Sequence, residues 1–324
     1  MKPQRAYPVD VSVVIPTFNR CEILRRALLL YNRQQGMAGR FEVVVVDDGS
    51  ADGTLAMLEK LRAELRYPLR CFALPNNSGA SAARNRAIEA AEGRVVLITG
   101  DDILPDERLL QEHWTWHVER HPAPHVGVLG LVQWAEELKP TPFMCWLERN
   151  GTQFAYGSIR HGEVIGHGYL YTCNVSVKRE FLLATGERFD ERLHVCEDSE
   201  WGLRLSHKGF EMRYNANALG KHLHETTLNS SLRRMEASGA AAAALRRVNP
   251  EEFARITSNY FEPRNRKKLL LLRLALHPLL GRLVYAPFAR LCERRLVADR
   301  VFVACHASYF LKGLAAAGAS DPTA

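Results

Sequence analysis

Val11-Ser12-Val13-Val14-Ile15 closed by Pro16, followed by Phe41-Glu42-Val43-Val44-Val45-Val46 running into Asp47-Asp48-Gly49-Ser50, is the stretch that decides the fold. Short apolar runs in which β-branched residues fill successive positions suit strands covered on both faces, the environment of a parallel sheet. Between the two runs Asn19 is placed to cap a helix, with Glu22 in the reciprocal position and Leu24, Ala27, Leu28 and Tyr31 on one face. The result is a β-α-β unit. Working outward, Thr54 to Leu65 reads as a second helix, Leu69 to Leu74 as a strand, Ala80 to Ala91 as a helix and Arg94 to Ile98 as a strand. Strands alternating with helices, each strand ending in polar residues, predict an α/β doubly wound sheet with its ligand at the carboxyl ends of the strands.

Beyond about Pro105 the alternation fades, and His113 to Phe189 mixes aromatics, Gly and His without a clear period. Order returns with a helix at Glu200 to His207, a strand at Phe210 to Ala218 and an alanine-rich helix at Ser230 to Arg247. From Asn249 onward the chain reads as helical, broken by Pro263, Pro278 and Pro287.

With 324 residues, 47% of them hydrophobic and 24% charged, the chain has the composition of a folded protein with a large core, and neither disorder nor collagen fits. Its longest uncharged stretch, His121 to Ala135, holds two prolines and falls short of the roughly 20 apolar residues of a membrane helix. No apolar signal region follows Met1-Lys2-Pro3-Gln4-Arg5, so the expected location is the cytoplasm. Seven scattered cysteines without a Cys-x-x-Cys pair agree, and read as small buried hydrophobes. The net charge of +7 is concentrated: Arg264 to Lys312 carries eleven Lys or Arg against Glu293 and Asp299, or +9, leaving −2 for the remainder. That tail, with its leucine-rich runs, suits an amphipathic platform on an anionic membrane surface, or else a solvated helical subdomain. It lacks the interleaved aromatics of a single-strand nucleic-acid platform, so no nucleic-acid partner is expected.

The chemistry sits at strand ends. Thr99-Gly100-Asp101-Asp102 follows the apolar run Val95 to Ile98, and paired carboxylates there suit a hard divalent cation that also holds a diphosphate; a helix cap is the other reading of Asp102. Neither a Gly-x-Gly-x-x-Gly fingerprint nor a Walker loop is present, which argues against hydride transfer and P-loop chemistry. Pro16-Thr17-Phe18-Asn19 and Asp48 could grip a nucleoside, or Asp47 to Ser50 could form only a tight turn. Cys196-Glu197-Asp198-Ser199-Glu200 opens a helix with three carboxylates, of which capping explains one but not all three, and a general base is commonly Asp or Glu. In Lys221-His222-Leu223-His224 alternate positions put both imidazoles on one side of an extended segment, as metal or phosphate ligands or as structural histidines.

VSVVIPTFNR, EVVVVDDGSADGT, NNSGASAARNRAIEAA, the GDD after a strand and CEDSEWGLRLSHKGF, in this order, resemble the family 2 glycosyltransferases of GT-A fold over residues 10 to 235. The resemblance implies a GT-A domain at 8–235, with a Rossmann-like nucleotide-binding half at 8–105, a mixed sheet and an acceptor half at 106–235, and then a basic helical region at 236–324. It implies a hexosyltransferase-type enzyme that uses Mg or Mn and inverts the sugar it moves from a nucleoside-diphosphate donor to a hydroxyl of a glycan or lipid-linked acceptor in cell-envelope polysaccharide synthesis. Pro16, Phe18, Asp48 and Arg84 would hold the nucleotide, and Asp101 with Asp102 would divide the ribose and metal contacts. Asp198 would be the base with Glu197 beside it on the donor, and His224 or His222 would complete the metal site. Such an enzyme would work in the cytoplasm, peripheral on the inner membrane face through 264–312. Many relatives carry a third carboxylate where this chain has Thr99, so the alternative is a nucleotide-sugar-binding protein that has lost its metal site.

Overall fold

The computed structural model describes residues 7–149, 154–261 and 299–318. Contacts divide the chain into two compact units: residues 1–135, 159–191 and 201–224 form the first, and 136–158, 192–200 and 225–324 the second.

The first unit opens as the sequence predicts, with β1 (Val11–Thr17), α1 (Cys21–Tyr31), β2 (Phe41–Asp47), α2 (Thr54–Leu61), β3 (Leu69–Ala73), α3 (Ala80–Ala90) and β4 (Val95–Thr99). β1 pairs in parallel with both β2 and β4, and β2 with β3. Val11, Val13, Ile15, Val43, Val45, Val95 and Leu97 are fully buried in one aliphatic core with Leu24, Leu28 and Leu58 from the helices. The start of α1 corrects the expected cap. Asn19 sits in the left-handed region at φ 52 with its Oδ1 accepting from Ala51 N, and Asp52 Oδ2 accepts from Cys21 N, so the β2–α2 loop satisfies the first turn of α1.

The remaining strands are β5 (Ile103–Pro105), β6 (Val126–Trp134), β7 (Val164–Ile165), β8 (Asn174–Lys178) and β9 (Glu211–His222); α4 (Leu109–Thr115), α5 (Pro142–Arg149), α6 (Arg179–Thr185) and α7 (Glu197–His207) lie among them in the chain. The sheet runs β3-β2-β1-β4-β8-β6-β9-β5, with β7 on β9. β8 is antiparallel to both β4 and β6, which makes the sheet mixed. β4 and β5 are separated by only Gly100, Asp101 and Asp102, yet stand four places apart in that order. Four spacings of a flat sheet are about 19 Å, whereas four Cα steps reach about 14 Å at most. The sheet must therefore curl, and the carboxylate pair sits where the curl closes.

A polar cluster holds this half together. Asn174 and Ser176 on β8 are buried, as are His113 and His117. His113 Nδ1 lies 2.7 Å from Ser176 Oγ and its Nε2 2.9 Å from Asn174 Oδ1, while His117 Nε2 lies 2.8 Å from Ser176 Oγ. Burial pushes the His113 imidazole down to about 4 and that of His117 well below its ordinary value, so both are neutral. Lys178, also buried, donates from Nζ to the carbonyls of His121, Ala123 and Val126. Where the β6–β9 register shifts after Gly130, Asn174 Nδ2 donates to both Leu131 O and Ala218 O. A Cβ at Gly130 would collide with that amide, so only glycine admits it. The shifted register sets His222 opposite Trp134 on one side and Ile103 on the other.

The second unit contains α5, the start of α7, α8 (Leu228–Val248), α9 (Pro250–Phe261) and α10 (Asp299–Ala316). Thr227 and Ser230 form a capping box at the head of α8. Leu193, Ala242, Leu245, Phe253, Phe310 and Leu314 make its core, and Phe143, Trp146, Phe302 and His306 stack beside them. At the crossing of α8 and α10 a Cβ on Gly239 would overlap the backbone of Phe310, and one on Gly313 the backbone of Glu236. Most of the basic tail expected at the membrane, residues 264–298, lies outside the described residues. Among the described residues no helix is long and apolar enough to cross a membrane. The described cysteines are free thiols, and five of the six are partly exposed, a correction to the expectation that they are buried.

Candidate nucleotide and metal site

The carboxyl ends of β1, β4 and β9 converge on Asp101 and Asp102. Thr17 at the end of β1 donates its hydroxyl to Asp101 Oδ2 at 2.8 Å. Arg20, just before α1, hydrogen-bonds Asp102 Oδ2 through its Nη1, which also lies 3.5 Å from Asp101 Oδ1. From β9, His222 Nε2 lies 3.3 Å from Asp102 Oδ2, and His224 Nδ1 is 3.8 Å from the same oxygen. The two imidazoles stack at 5.6 Å, as their alternate positions predict, and His222 stacks on Trp134 at 5.0 Å. The Asp102 backbone carbonyl accepts from Leu223 N, tying the turn after β4 to the segment that carries both histidines.

These surroundings divide the carboxylates. Burial, then the charge of Asp102, raises Asp101 to about 6 against the opposing pull of Arg20 and Thr17. Burial also works against ionisation of Asp102, but His222 and Arg20 outweigh it and hold that carboxyl below the usual range. Asp102 is thus the constant anion, and Asp101 the member that takes up a proton in mild acid. Capping does not account for Asp102, whose carboxylate is engaged by the Arg20 guanidinium with the His222 imidazole beside it. Thr99 is buried and donates its hydroxyl to Cys173 O at 2.9 Å, pinning β4 to the start of β8.

Of the other sequence candidates, Pro16, Phe18, Asp48 and Arg84 belong to the same unit. Pro16 is half-buried at the end of β1, and Phe18 is 39% exposed, the degree of access a stacking platform for a base requires. Asp48 is buried, and its two oxygens accept from Ser78 N at 2.7 Å and Gly79 N at 2.8 Å, so it organises the entry to α3. Arg84 lies over the Phe189 ring at 5.5 Å. Glu197 and Asp198 lie in the second unit, in the first turn of α7, where Asp198 Oδ1 accepts from Ser199 N and Cys196 before them is left-handed at φ 62. Burial, then Asp198 and Glu197, pushes the Cys196 thiol up to about 12, so it stays protonated beside them.

Sequence reasoning gave Thr17 only as part of the stretch that could grip a nucleoside, and missed Arg20 and Asn85. Asn85 Nδ2 donates to Phe189 O and Glu191 Oε1 while its Oδ1 accepts from Phe189 N, so this residue of α3 secures the strap that passes Arg84. A signal for the first two was present in Pro16-Thr17-Phe18-Asn19-Arg20: a hydroxyl and a cation at a strand end beside a carboxylate pair. The paired carboxylate oxygens are donors suited to Mg or Mn. Among the described residues, however, no three His, Cys, Asp or Glu side chains converge on one ion position, and the cation that lies on the pair is Arg20.

A profile of glycosyl transferase family 2 matches residues 12–167. The chain is 28% identical to the uncharacterized glycosyltransferase YfnE of Bacillus subtilis strain 168, over 66% of this chain and 64% of that protein. It is 36% identical to the poly(ribitol-phosphate) beta-N-acetylglucosaminyltransferase TarS of Staphylococcus aureus strain Mu50, over 34% of this chain and 19% of TarS. The chain thus spans less than two thirds of these curated relatives. Among solved structures, the mannosyltransferase PcManGT of Pyrobaculum calidifontis, in complex with GDP-Man and Mn2+, superposes with a TM-score of 0.63. That likeness covers 97% of this chain and 90% of PcManGT at 19% identity, and it shows the fold.

Proposed function

Because the chain belongs, through residues 12–167, to the family 2 glycosyltransferases, we propose that it is an inverting glycosyltransferase acting in cell-envelope polysaccharide synthesis. In this reading it moves a sugar from a nucleoside-diphosphate donor to a hydroxyl of a glycan or lipid-linked acceptor. The observation that carries it is the Asp101–Asp102 pair at the closing turn of the sheet, ringed by Thr17, Arg20, His222 and His224. Supporting it are the poly(ribitol-phosphate) beta-N-acetylglucosaminyltransferase activity in the name of TarS and the GDP-Man with Mn2+ bound by PcManGT.

Phe18 offers its exposed ring to the base, Pro16 and Asp48 shape the floor beneath it, and Arg84 brings positive charge near the phosphates. Asp48, fixed by two backbone donors, keeps an orientation in which its remaining lone pairs face a base or ribose. Asp101 and Asp102, with His224 or His222, are the residues that would hold Mg or Mn. A divalent cation bound there neutralises charge on the departing nucleoside diphosphate. Asp198, with Glu197 beside it on the donor sugar, takes the proton of the acceptor hydroxyl, and a single in-line displacement inverts the anomeric carbon. The basic stretch 264–312 would keep the enzyme on the anionic inner face of the membrane, an attachment that should loosen in liposome sedimentation as salt rises.

Thermal unfolding with UDP, GDP, dTDP or CDP, each with and without Mn2+, tests the donor half of this reading. One nucleotide should raise the midpoint in a Mn2+-dependent manner, and Asp102→Asn should abolish the dependence. A shift that does not depend on Mn2+ would favour a sugar-nucleotide binder without a metal site, and absence of any shift in the folded protein would sink the proposal. For the acceptor half, Asp198→Asn should lower turnover by about 10²–10⁴-fold while leaving nucleotide binding intact.

A further inference from the structure

Arg20 lies against the same oxygens that a divalent cation would take. Its Nη1 bonds Asp102 Oδ2 and lies 3.5 Å from Asp101 Oδ1, and its Nη2 is 3.5 Å from His224 Nδ1. One guanidinium thus touches both carboxylates and the more exposed imidazole, whose side chain is 42% accessible. The carboxylate side chains are only 10% and 14% accessible, so two adjacent anions need a counter-charge within the protein. Arg20 supplies it, and His222 Nε2 approaches Asp102 from another element. A guanidinium and a divalent ion repel one another and compete for the same Asp102 oxygen, so the ion gains less from the pair while Arg20 stays on it.

We propose that Arg20 is a built-in competitor for the divalent cation: it neutralises the Asp101–Asp102 pair, and metal binding requires its guanidinium to leave Asp102 and His224. Metal affinity is then an exchange constant, lower than the carboxylates alone would give by the strength of their bond to Arg20. The side chain is 32% accessible and has an outward path. Once displaced, it stands at the end of β1 as a cation available to the phosphates of the donor, so metal and donor arrive together more readily than either alone. The inference rests on the assignment of the metal to Asp101 and Asp102, and its test separates the two.

Mn2+ alone is titrated into the full-length protein and read by electron paramagnetic resonance of the free ion, for wild type, Arg20→Met, Arg20→Lys and Asp102→Asn. Arg20→Met should bind Mn2+ at least about fivefold more tightly, the lower end of ordinary site-to-site coupling, with Arg20→Lys between it and wild type. Unchanged or weaker binding by a folded Arg20→Met would overturn the competition while leaving the metal assignment standing, provided Asp102→Asn has lost the ion. If Asp102→Asn binds like wild type, or no variant binds Mn2+, both ideas fall. A second readout avoids mutation of the site: Mg2+ added to arginine-labelled wild type should shift the Nε–H resonance of Arg20, identified by its loss in Arg20→Lys. An unmoved resonance under saturating Mg2+ would equally overturn the displacement.

Discussion

The strands β1, β2 and β4 on one side of the sheet and β8 on the other are all deeply buried, with different chemistry at their cores. Val11, Val13, Ile15, Val43, Val45, Val95 and Leu97 of β1, β2 and β4 share one aliphatic core, whereas β8 buries Asn174, Ser176 and Lys178 alongside Val175 and Val177. An aliphatic layer is held by area and shape and tolerates exchange of one hydrophobe for another of equal volume. A polar layer is held by reciprocal satisfaction, so removing one member charges the protein for every partner left behind. Where the sheet must curl and shift register, direction matters more than area, and the polar layer supplies it.

The difference can be broken most severely at Lys178. Lys178→Ala should strip the carbonyls of His121, Ala123 and Val126 of their shared donor and cost about 4 kcal/mol in urea unfolding, allowing about 1–3 kcal/mol per orphaned group and partial rehydration. Next, Asn174→Leu should keep the branched heavy-atom shape but lose the bonds to His113, Leu131 and Ala218, at about 3 kcal/mol. Protonation attacks the same layer without mutation. His113 has a folded value of about 4 against an ordinary 6.5, so the unfolded chain takes up its proton first as pH falls. Stability present above pH 6.5 is then lost down to pH 4, by about 2 kcal/mol at pH 5 for this residue alone, and His117 steepens the slope in the same sense. A urea midpoint flat between pH 7 and 5 would contradict the neutral pair. The smallest effect belongs to the aliphatic half: Leu97→Met should cost about 1 kcal/mol or less, and a loss matching that of Asn174→Leu would erase the distinction.

The same contrast explains what was legible in the sequence. Two-faced burial by β-branched residues leaves an uninterrupted run, so β1 and β2 could be read directly, and β4 was displaced by a single residue. Asn174-Val175-Ser176-Val177-Lys178 alternates like a strand with one wet face, yet all five positions are buried because Asn174 and Ser176 meet His113 and His117, about 60 residues away in sequence, and Lys178 meets the carbonyls of His121, Ala123 and Val126. β9 was placed but cut short at Ala218, since its course through the register shift to His222 depends on Gly130 and Asn174 on other strands. At the site, Asp101, Asp102, His222 and His224 were visible as residue types near strand ends. Arg20 and Thr17 were not singled out, because their meaning comes only from the turn that returns Asp101 and Asp102 to the end of β1.

The meeting of Gly239 with Gly313 bears on how the protein can be handled in the laboratory. Because the two helices touch through main chain, α10 forms a wall of the second unit's core, with Phe310 and Leu314 set against Ala242 and Leu245. A shortened version that stops after Phe261 would leave that wall open to solvent and invite aggregation. An affinity tag is better attached beyond Gly318, where the helix has already ended, than used in place of α10.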